Sequence, residues 1–566
     1  MNKEKLRDNA ERLINSVSAA AGAAARKILR GNVYGKLMIL TGVLFFAPAA
    51  VVPFYIDEAR YIYCFLIPAF GCILLGALSG IFSKPSGDDS GRWQSPVQRG
   101  SLPVVFAWLF AVLTGAVPFI LGRQLLDADG NLSLMRAVFE SASGWTTTGL
   151  TLADVENMPR IFLFYRGFMQ YCGGLGFIFI VNMVIHGGQE INLFNAEGHP
   201  DRVMPNLRKT SRTIFLLYNG FLLAGVLLYC VFGMGLFDAV CHAMSALSTA
   251  GFSTRAASIA AYDKIGIEIV TILLMLVGST NFAVLLLLVK GKFGRVFKIS
   301  EIKATIIMIV VFSSLITVSL MKSNGLGFFD GVHNAFFGVI TTYSTTGYTV
   351  ADYANWPNFA VLLLFILMLI GGGAGSTAGG IKIIRAHIFL KAAAVGVKSK
   401  LVPTNKISPL KYYKAQGRAV IDSGLINETV GFIVSYIGIF LIGSMLVIIT
   451  SGSDILEGVF EFASALGTVG ISNGLTARAN DATLAVEAIG MILGRLEIFI
   501  VFIAVYSGVS EIKRAAKNKE DRARLNKSPQ KKPKAATDTN PGQKKPKAAT
   551  DTNPEGKASA EQNKKL

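Results

Sequence analysis

The sequence TTTGLT at 146–151 has three similar counterparts later in the chain. They are STAGFS at 248–253, STTGYT at 344–349 and GTVGIS at 467–472. When the four copies are aligned on their glycines, each has a threonine two residues before the glycine and a hydroxyl side chain two residues after it. A serine or threonine also lies six residues before each glycine. The residue directly after each glycine is apolar or aromatic. Internal repetition of this kind indicates one structural unit used several times.

The composition is that of a membrane protein. The chain has 566 residues, of which 52% are hydrophobic and 16% charged, and its mean hydropathy is +0.49. A helix needs about 20 apolar residues to cross a bilayer. Several stretches meet this requirement with few or no charges, and examples are 37–55, 61–82, 103–121, 214–231 and 269–289.

The formal net charge of +19 is unevenly distributed along the chain. Basic residues concentrate in the C-terminal tail and in alternate connections between the apolar stretches, at 84–99, 202–212, 290–303 and 382–418. An excess of lysine and arginine on one side of the membrane marks its cytoplasmic side. The pattern therefore predicts that both termini are cytoplasmic, and it gives no support to nucleic-acid binding.

The four copies divide the chain into segments. The predicted organisation is a basic cytoplasmic leader at 1–35, two transmembrane helices at 36–85, four repeats at 101–190, 205–292, 300–395 and 415–513, and a repetitive basic tail at 514–566. The tail is rich in Lys, Ala, Thr and Pro and cannot bury a core, so we predict that it is disordered. Attraction to anionic membrane lipid on the cytoplasmic face is the functional alternative for this segment.

Each turn lies between two apolar stretches, and irregular backbone at membrane depth must be enclosed by protein or reached by water. Four such turns meet this condition most simply by converging on one axis, where rings of carbonyl oxygens can replace the hydration shell of a cation. The helix before each turn would direct its partly negative C-terminus at that cation. No ionised side chain lies in the turns, which favours a monovalent ion. The alternative is that the turns merely connect helices.

The predicted ion-binding residues are the three in each turn that end at the glycine: Thr147, Thr148 and Gly149; Thr249, Ala250 and Gly251; Thr345, Thr346 and Gly347; Thr468, Val469 and Gly470. Nine residues before the glycines lies another column, which consists of Glu140, His242, Gly338 and Glu461. We predict that its polar members make hydrogen bonds behind the turns.

The second apolar stretch of the third repeat contains GGGAGSTAGG at 371–380. An interior glycine costs about 1 kcal/mol relative to alanine, so we predict an unwound intramembrane loop below the turns rather than a continuous helix. The alternative is a packing kink. The glycines concerned are Gly371, Gly372, Gly373, Gly375, Gly379 and Gly380. Without a strand–turn–helix context, the spacing of Gly373 and Gly375 does not indicate a nucleotide site.

Arg495 lies inside the last apolar stretch, MILGRLEIFIVFIAVY. A charge at the centre of a bilayer costs about 2.5–3.5 kcal/mol on insertion scales, so Arg495 must meet water, backbone carbonyls or another repeat. We predict that it forms an electrostatic barrier to cations; a snorkelling or packing role is the alternative. Lys382 and Arg385 are predicted to be ordinary anchors at the cytoplasmic face.

At the four Thr-x-Gly turns the chain resembles the Trk, Ktr and HKT family of potassium transporters, and its two additional N-terminal helices are most similar to the TrkH-type membrane subunit. The resemblance covers about residues 36–513. It implies an all-α polytopic membrane protein with four pseudo-symmetric helix–pore loop–helix repeats around one pore, preceded by two extra transmembrane helices. Ala250 and Val469 depart from the threonine found at this position in the other repeats.

The resemblance also implies a function. In this family, glycine at all four filter positions accompanies potassium selectivity, and serine at the first accompanies sodium transport. A loop equivalent to 371–380 obstructs the pore, and a positive residue lies beside it. The family further implies the bacterial inner membrane, a homodimer with one pore in each subunit, and a separate cytoplasmic ring protein that binds nucleotides. The basic segments 290–303 and 391–418 are the predicted docking faces.

The expected function is potassium uptake driven by the membrane potential, which supplies about 2.3 kcal/mol per charge for each 100 mV. A potassium symporter coupled to protons or sodium is the alternative, and it would require acids within the membrane. No catalytic cluster of Ser, His, Asp or Glu is evident, so an enzyme is not expected. No cofactor is predicted for the chain. Potassium is its expected substrate.

Overall fold

The computed structural model describes residues 33–82, 96–126, 130–176, 207–401 and 410–527. The chain divides into two compact units, Met1–Ser510 and Glu511–Leu566. Nearly all of the predicted leader 1–35 lies outside the described residues, as do 177–190 of the first repeat and 528–566 of the predicted tail.

The first half of the chain forms two leading helices and two repeats. Its helices are α1 Val33–Leu44, α2 Tyr63–Phe82, α3 Pro96–Gly115, α4 Val117–Leu121, α5 Leu134–Trp145, α6 Arg160–Leu175, α7 Leu207–Val231, α8 Leu236–Leu247, α9 Ile265–Gly278, α10 Phe282–Val289 and α11 Phe293–Val296. Short 3-10 turns lie at Ala47–Val51, Ile56–Tyr61 and Ser258–Tyr262.

The second half forms the other two repeats. Its elements are α12 Ser300–Asn324, α13 Phe328–Tyr343, a 3-10 turn at Tyr353–Asn355, α14 Asn358–Ile370, α15 Ile383–Leu401, β1 Leu410–Lys414, β2 Gly417–Ile421, α16 Ser423–Ser451, α17 Ile455–Gly467, α18 Leu475–Arg478, α19 Asp481–Arg495 and α20 Ile498–Lys527.

Each repeat consists of an outer helix, a shorter pore helix that ends at the turn, and an inner helix. The outer helices are α3, α7, α12 and α16, and the pore helices are α5, α8, α13 and α17. The pore helices are buried towards their C-termini, where most of the last residues have no accessible surface.

Side-chain N-caps define several helix starts, because Ser133, Asn281, Asp422 and Asn480 each accept a hydrogen bond from a backbone N–H of the first turn.

Six helices of the described residues are long and apolar enough to cross a membrane, or eight if each of two bent pairs counts as one span. Leucines and isoleucines on these helices remain exposed, as at Leu223, Leu227 and Ile307. Apolar surface of this extent is normal where lipid replaces water around a protein. The predicted polytopic helical architecture is therefore confirmed.

The inner helices are interrupted more often than the sequence predicts. In the third repeat, residues 371–382 between α14 and α15 are not helical. The second repeat also breaks, because α9 and α10 meet at 117°, and in the fourth repeat α19 and α20 meet at 98°. The apolar stretch 269–289 is therefore not one straight span. Single residues make these two breaks: Asn281 caps α10, and Glu497 adopts φ 55°.

Two further boundaries differ from the prediction. An antiparallel hairpin of β1 and β2 pairs Leu410 with Ile421 and Lys414 with Gly417, and it lies across the predicted start of the fourth repeat at residue 415. The helix α20 continues to Lys527, so the tail predicted to be disordered from 514 is helical over its first residues.

Candidate functional site: a ring of four turns above an intramembrane loop

The four turns share an unusual backbone conformation. The threonines Thr147, Thr249, Thr345 and Thr468 have φ between 51° and 57°, and the glycines two residues later have φ between 80° and 96°. A β-branched residue in the left-handed region is a genuine outlier. Positive φ at both residues, with the intervening residue outside that region, alternates the backbone conformation along each turn. Such strain persists only where the surrounding structure imposes it.

The four turns close into a ring. A Cβ atom added to Gly149 would meet the carbonyl oxygen of Ala250, and one on Gly251 would meet that of Thr346. In the same way, Gly347 faces the carbonyl oxygen of Val469, and Gly470 faces that of Thr148. Each glycine therefore contacts the next repeat, and the fourth returns to the first. The structure brings together all twelve residues that the sequence singles out.

A buried hydroxyl holds the glycine amide in two repeats. The Gly149 N–H donates to Ser143 Oγ at 3.0 Å, and the Gly470 N–H donates to Ser464 Oγ at 3.0 Å. These contacts account for the hydroxyl that lies six residues before the glycine in the first and fourth repeats. In the third repeat the Gly347 N–H instead lies 3.5 Å from the carbonyl oxygen of Thr341.

The second repeat uses a side chain from the first. Gln170 of α6 accepts from Ser245 Oγ at 2.6 Å and from the Phe252 N–H at 3.1 Å. Its Nε2 donates to the carbonyl oxygen of Ala250 at 2.9 Å. Gln170 therefore fixes the second turn through three hydrogen bonds, and one of the ring carbonyls is already an acceptor for a protein amide.

The outer ends of the turns are fixed by the column that precedes the glycines by nine residues. Thr151 Oγ1 donates to Glu140 at 2.8 Å, and Ser472 Oγ donates to Glu461 at 2.6 Å. His242 Nε2 lies 3.0 Å from Ser253 Oγ. The polar members of this column therefore make hydrogen bonds behind the turns.

The third repeat has glycine in this column. A Cβ on Gly338 would lie 2.8 Å from Cη2 of Trp356, so the indole fills the space that a side chain occupies in the other repeats. The backbone N–H of Thr349 donates instead to Ser258 Oγ of the second repeat, at 3.2 Å.

The non-helical segment 371–382, which includes the predicted gate at 371–380 and is called the gate loop after that prediction, lies against the threonine end of the ring. Gly379 N–H donates to Thr345 Oγ1 at 2.9 Å, and Thr377 Oγ1 lies 3.0 Å from Thr249 Oγ1. A Cβ on Gly379 would lie 2.5 Å from the carbonyl oxygen of Gly467 and would also meet Thr468 Oγ1. The loop therefore touches three of the four turns, and only glycine fits at 379.

The six loop glycines have different surroundings. Gly371 and Gly380 pack backbone to backbone, and both have positive φ. A Cβ on Gly372 would lie 2.6 Å from Ala378, one on Gly373 would lie 2.8 Å from the carbonyl oxygen of Ser279, and one on Gly375 would lie 3.1 Å from Asn281 Nδ2. Close backbone approach therefore explains the glycine-rich sequence.

The gate loop is attached to the broken inner helix of the second repeat. Gly373 N–H donates to the carbonyl oxygen of Ser279 at 2.9 Å. At Ala374, the carbonyl accepts from Asn281 Nδ2 at 2.6 Å and the N–H donates to Glu301 Oε1 at 2.7 Å. Glu301 is 8% exposed, so a largely buried carboxylate and an amide together clamp one residue of the loop.

Arg495 lies at the C-terminal end of α19, where a cation is favoured by the helix dipole. Its Nη1 donates to the carbonyl oxygen of Thr377 at 2.5 Å, and its Nη2 donates to the carbonyl oxygens of Gly173 and Gly174. The guanidinium also lies 5.6 Å from the ring centroid of Trp108. Arg495 thus connects the fourth repeat with the gate loop and with the end of the inner helix of the first repeat.

Lys382 is not an ordinary surface anchor, and the prediction is wrong for this residue. Lys382 is buried and donates from Nζ to the carbonyl oxygen of Ala378 in the gate loop. Arg385 pairs with Glu497 at 2.8 Å. Lys382, Arg495 and Glu497 line a cavity of about 40 Å³, which is large enough for ordered water. The turn at Lys382, with φ 79°, directs the side chain inward instead of along a helix.

Sequence reasoning missed several residues of the site. Gln170, Asn281, Glu301 and Thr377 act across repeats, and no pattern within one repeat identifies such partners. Arg166 could have been identified from the sequence by comparing repeats. It lies at the same distance after Gly149 as Glu487 lies after Gly470. Arg166 is buried and donates to Glu140 at 2.8 Å.

Comparison with known proteins agrees with this geometry. The chain is 29% identical over 489 residues to the Trk system potassium uptake protein TrkG of Escherichia coli, covering 84% of this chain and 96% of the relative. It is 29% identical over 495 residues to the Trk system potassium uptake protein TrkH of Vibrio parahaemolyticus, covering 84% and 98%. The crystal structure of the potassium transporter TrkH from that organism superposes with a TM-score of 0.72 at 28% identity, again covering 84% and 98%.

These relatives are transport proteins, which confirms the prediction that the chain is not an enzyme. The family model described as TrkH, cation transport protein, matches residues 88–510, a segment that contains all four turns, the gate loop and Arg495. The chain is therefore a member of the TrkH family of cation transport proteins.

Proposed function

We propose that the chain carries potassium ions across the bacterial inner membrane through the ring formed by the four turns. The observation that carries this proposal is the closed cycle in which each filter glycine faces a carbonyl oxygen of the next repeat. Rings of carbonyl oxygens replace the hydration shell of potassium in selective pores. The names of the relatives, Trk system potassium uptake proteins, support the same substrate.

The ion-binding groups are the backbone carbonyls of the twelve residues from Thr147 to Gly149, Thr249 to Gly251, Thr345 to Gly347 and Thr468 to Gly470. The pore helices end at these turns, so their partial negative charges favour a cation there. Ionised side chains are absent from the turn sequences, which favours a monovalent ion over a divalent one.

The gate loop and Arg495 control passage. The loop lies directly against the threonines at one end of the ring, through Thr377 and Gly379. Arg495 contacts the loop at Thr377, the buried Lys382 belongs to the loop, and both basic side chains line one cavity beside it. A cation that leaves the ring therefore meets both a steric and an electrostatic obstacle, and opening requires the loop to leave Arg495.

The membrane potential drives uptake through this channel-like path, with about 2.3 kcal/mol per charge for each 100 mV. Coupled symport with protons or sodium is the second candidate. The two are separated by recording currents from the purified chain in planar bilayers under a potassium gradient. We expect the reversal potential to follow the potassium equilibrium potential. A reversal potential that moves with an imposed proton or sodium gradient indicates symport, and the absence of potassium flux would overturn both.

The same proposal extends to orientation and partners. Both termini are cytoplasmic, and the chain forms a homodimer that is regulated by a separate nucleotide-binding ring protein. The predicted docking faces at 290–303 and 391–418 meet in an open cavity of about 340 Å³, to which Arg295, Lys298 and Lys414 contribute basic side chains. A basic surface of this kind suits an acidic partner surface. Size measurement of the purified chain, with and without the co-expressed ring protein, tests both assemblies.

A further inference from the structure

The first and fourth repeats place different charges at equivalent positions behind their turns. In the first repeat, Glu140 of the pore helix pairs with Arg166 of the inner helix at 2.8 Å. The equivalent residues of the fourth repeat are Glu461 and Glu487. Both glutamates are completely buried. A buried ion pair in one repeat is thus replaced by two buried acids in the other.

Glu461 is surrounded by donors. It accepts from Ser472 Oγ at 2.6 Å, from the Asn473 N–H at 3.2 Å and from the Thr476 N–H at 3.1 Å, and Thr476 Oγ1 also donates to it. An ionised carboxylate is an acceptor only, and it is stabilised by several donors. Glu461 therefore has the surroundings of the ionised form.

Glu487 has the opposite surroundings. Its Oε2 lies 3.4 Å from Thr476 Oγ1, and its Oε1 has no hydrogen-bond partner among the residues that the structure describes. The Thr476 hydroxyl lies between the two glutamates. It donates its single proton to Glu461, so it has no further proton to donate to Glu487. An unpaired buried charge is very unfavourable, and such groups are neutralised instead.

Other charged residues lie on the elements that pack around this pair. The elements packed against α19 are α5, α16 and α17. On α17, Glu457 pairs with Arg478 at 2.5 Å. On α5, Glu140 pairs with Arg166, whereas Arg136, in the first turn of the helix, has a buried Nε without a hydrogen-bond partner among the residues that the structure describes. The part of α16 that packs here, 429–451, carries no charged residue.

We propose that Glu461 and Glu487 form a proton-binding site in the fourth repeat, in which Glu487 carries one proton and Glu461 is ionised. Loss of this proton places two negative charges on either side of Thr476. Their repulsion pulls Glu461 away from Ser472, the last residue of the turn, and from Asn473, which follows it. The fourth turn of the ring thereby becomes sensitive to pH, while the first turn, with its ion pair, does not.

The site is close to the membrane face at which the turns open. Glu487 lies six residues into α19, which corresponds to about 9 Å along the helix, and the preceding Asn480 and Arg478 are at least partly exposed. Protons from that side, the outer side in the proposed orientation, therefore have a short way to the pair.

Infrared difference spectroscopy of the full chain in lipid tests the proton directly. We expect a carbonyl stretch of a protonated carboxylic acid near neutral pH that is lost in Glu487→Gln. It should be retained in Glu457→Gln, which removes an exposed carboxylate as a matched control. If the spectra of the parent and of Glu487→Gln show no such difference, Glu487 does not carry the proton and the proposal is overturned. A potassium-dependent shift of ionised carboxylate bands would then indicate a bound cation at this site.

The effect on transport rests on the proposed function, so it is measured separately. We expect rubidium uptake into vesicles to fall as the outer pH rises through deprotonation of the pair, and Glu487→Gln to remove this dependence. Glu487→Arg, which recreates the arrangement of the first repeat, should remove it as well. An infrared band without any uptake would reject the proposed function but keep the proton site. Uptake whose pH dependence is the same in both variants and in the parent would reject the role of the pair.

Discussion

Arg495 Nη1 lies 2.5 Å from the carbonyl oxygen of Thr377 and thereby joins the fourth repeat to the gate loop of the third. The same guanidinium bonds the carbonyls of Gly173 and Gly174 in the first repeat. A hydrogen bond to a charged group contributes about 1.5–3 kcal/mol. The position of the gate loop is therefore set by contacts with its neighbours as well as by its own glycines.

Replacement of Arg495 by alanine should increase ion flux. It removes both the positive charge and the contact to Thr377, and a loss of about 1.4 kcal/mol corresponds to a tenfold change in an equilibrium. We expect rubidium uptake into vesicles to rise by about tenfold or more. Arg478→Ala removes an exposed arginine and serves as the control. Uptake at the parental rate would show that Arg495 is no barrier.

Gly149→Ser should lower the preference for potassium over sodium. Gly149 has φ 96°, and a Cβ there would meet the carbonyl oxygen of Ala250. The substitution therefore displaces a carbonyl of the ring, in addition to about 1–2 kcal/mol of backbone strain. Gly474→Ser is a matched control, because Gly474 also has φ 96° but has nothing within 4 Å of its Cβ position. Equal permeability ratios in the parent and in Gly149→Ser would contradict the assignment of the ring.

Glu301→Ala should loosen the gate loop. It removes the carboxylate that accepts from the Ala374 N–H at 2.7 Å, and a bond of this kind contributes about 1.5–3 kcal/mol. We expect faster hydrogen exchange in the peptide that contains 371–382, by about tenfold. Glu301→Gln keeps an acceptor oxygen and should show a smaller change. Unaltered exchange in Glu301→Ala would mean that the bonds from Ser279 and Asn281 suffice to hold this part of the loop.

Arg166→Leu should destabilise the fold strongly. It leaves the ionised Glu140 buried without its partner, and such a change costs about 3–5 kcal/mol in the free energy of unfolding. The exposed pair of Arg478 and Glu457 provides the comparison, because loss of a surface pair costs about 0–1 kcal/mol. Unfolding of the purified variants in detergent measures both. Equal stability of Arg166→Leu and Arg478→Leu would show that the buried pair contributes little.

The sequence identifies the ring well because each turn imposes local requirements. The close approach of a carbonyl oxygen from the next repeat, at positive φ, demands glycine. In two repeats the hydroxyl that holds the glycine amide must lie at a fixed distance before it, as at Ser143 and Ser464. The breaks after Gly278 and Arg495 have no comparable local signal, since they are fixed by a single cap or turn inside an apolar run. The burial of Lys382 is likewise a tertiary effect. Arg166 and Glu487 lie at the same distance after Gly149 and Gly470. Comparing the repeats at this second position would have revealed both residues.

The ring is closed by four segments of one chain rather than by four identical subunits. In a symmetric tetramer, any substitution would occur four times around the axis. Here one position can change alone, so a single glycine-rich segment crosses beneath the ring, one glutamine serves only the second turn, and the buried arginine of the first repeat is replaced by an acid in the fourth. Covalent linkage of the repeats thus allows each quarter of the pore to acquire its own task without loss of the shared geometry.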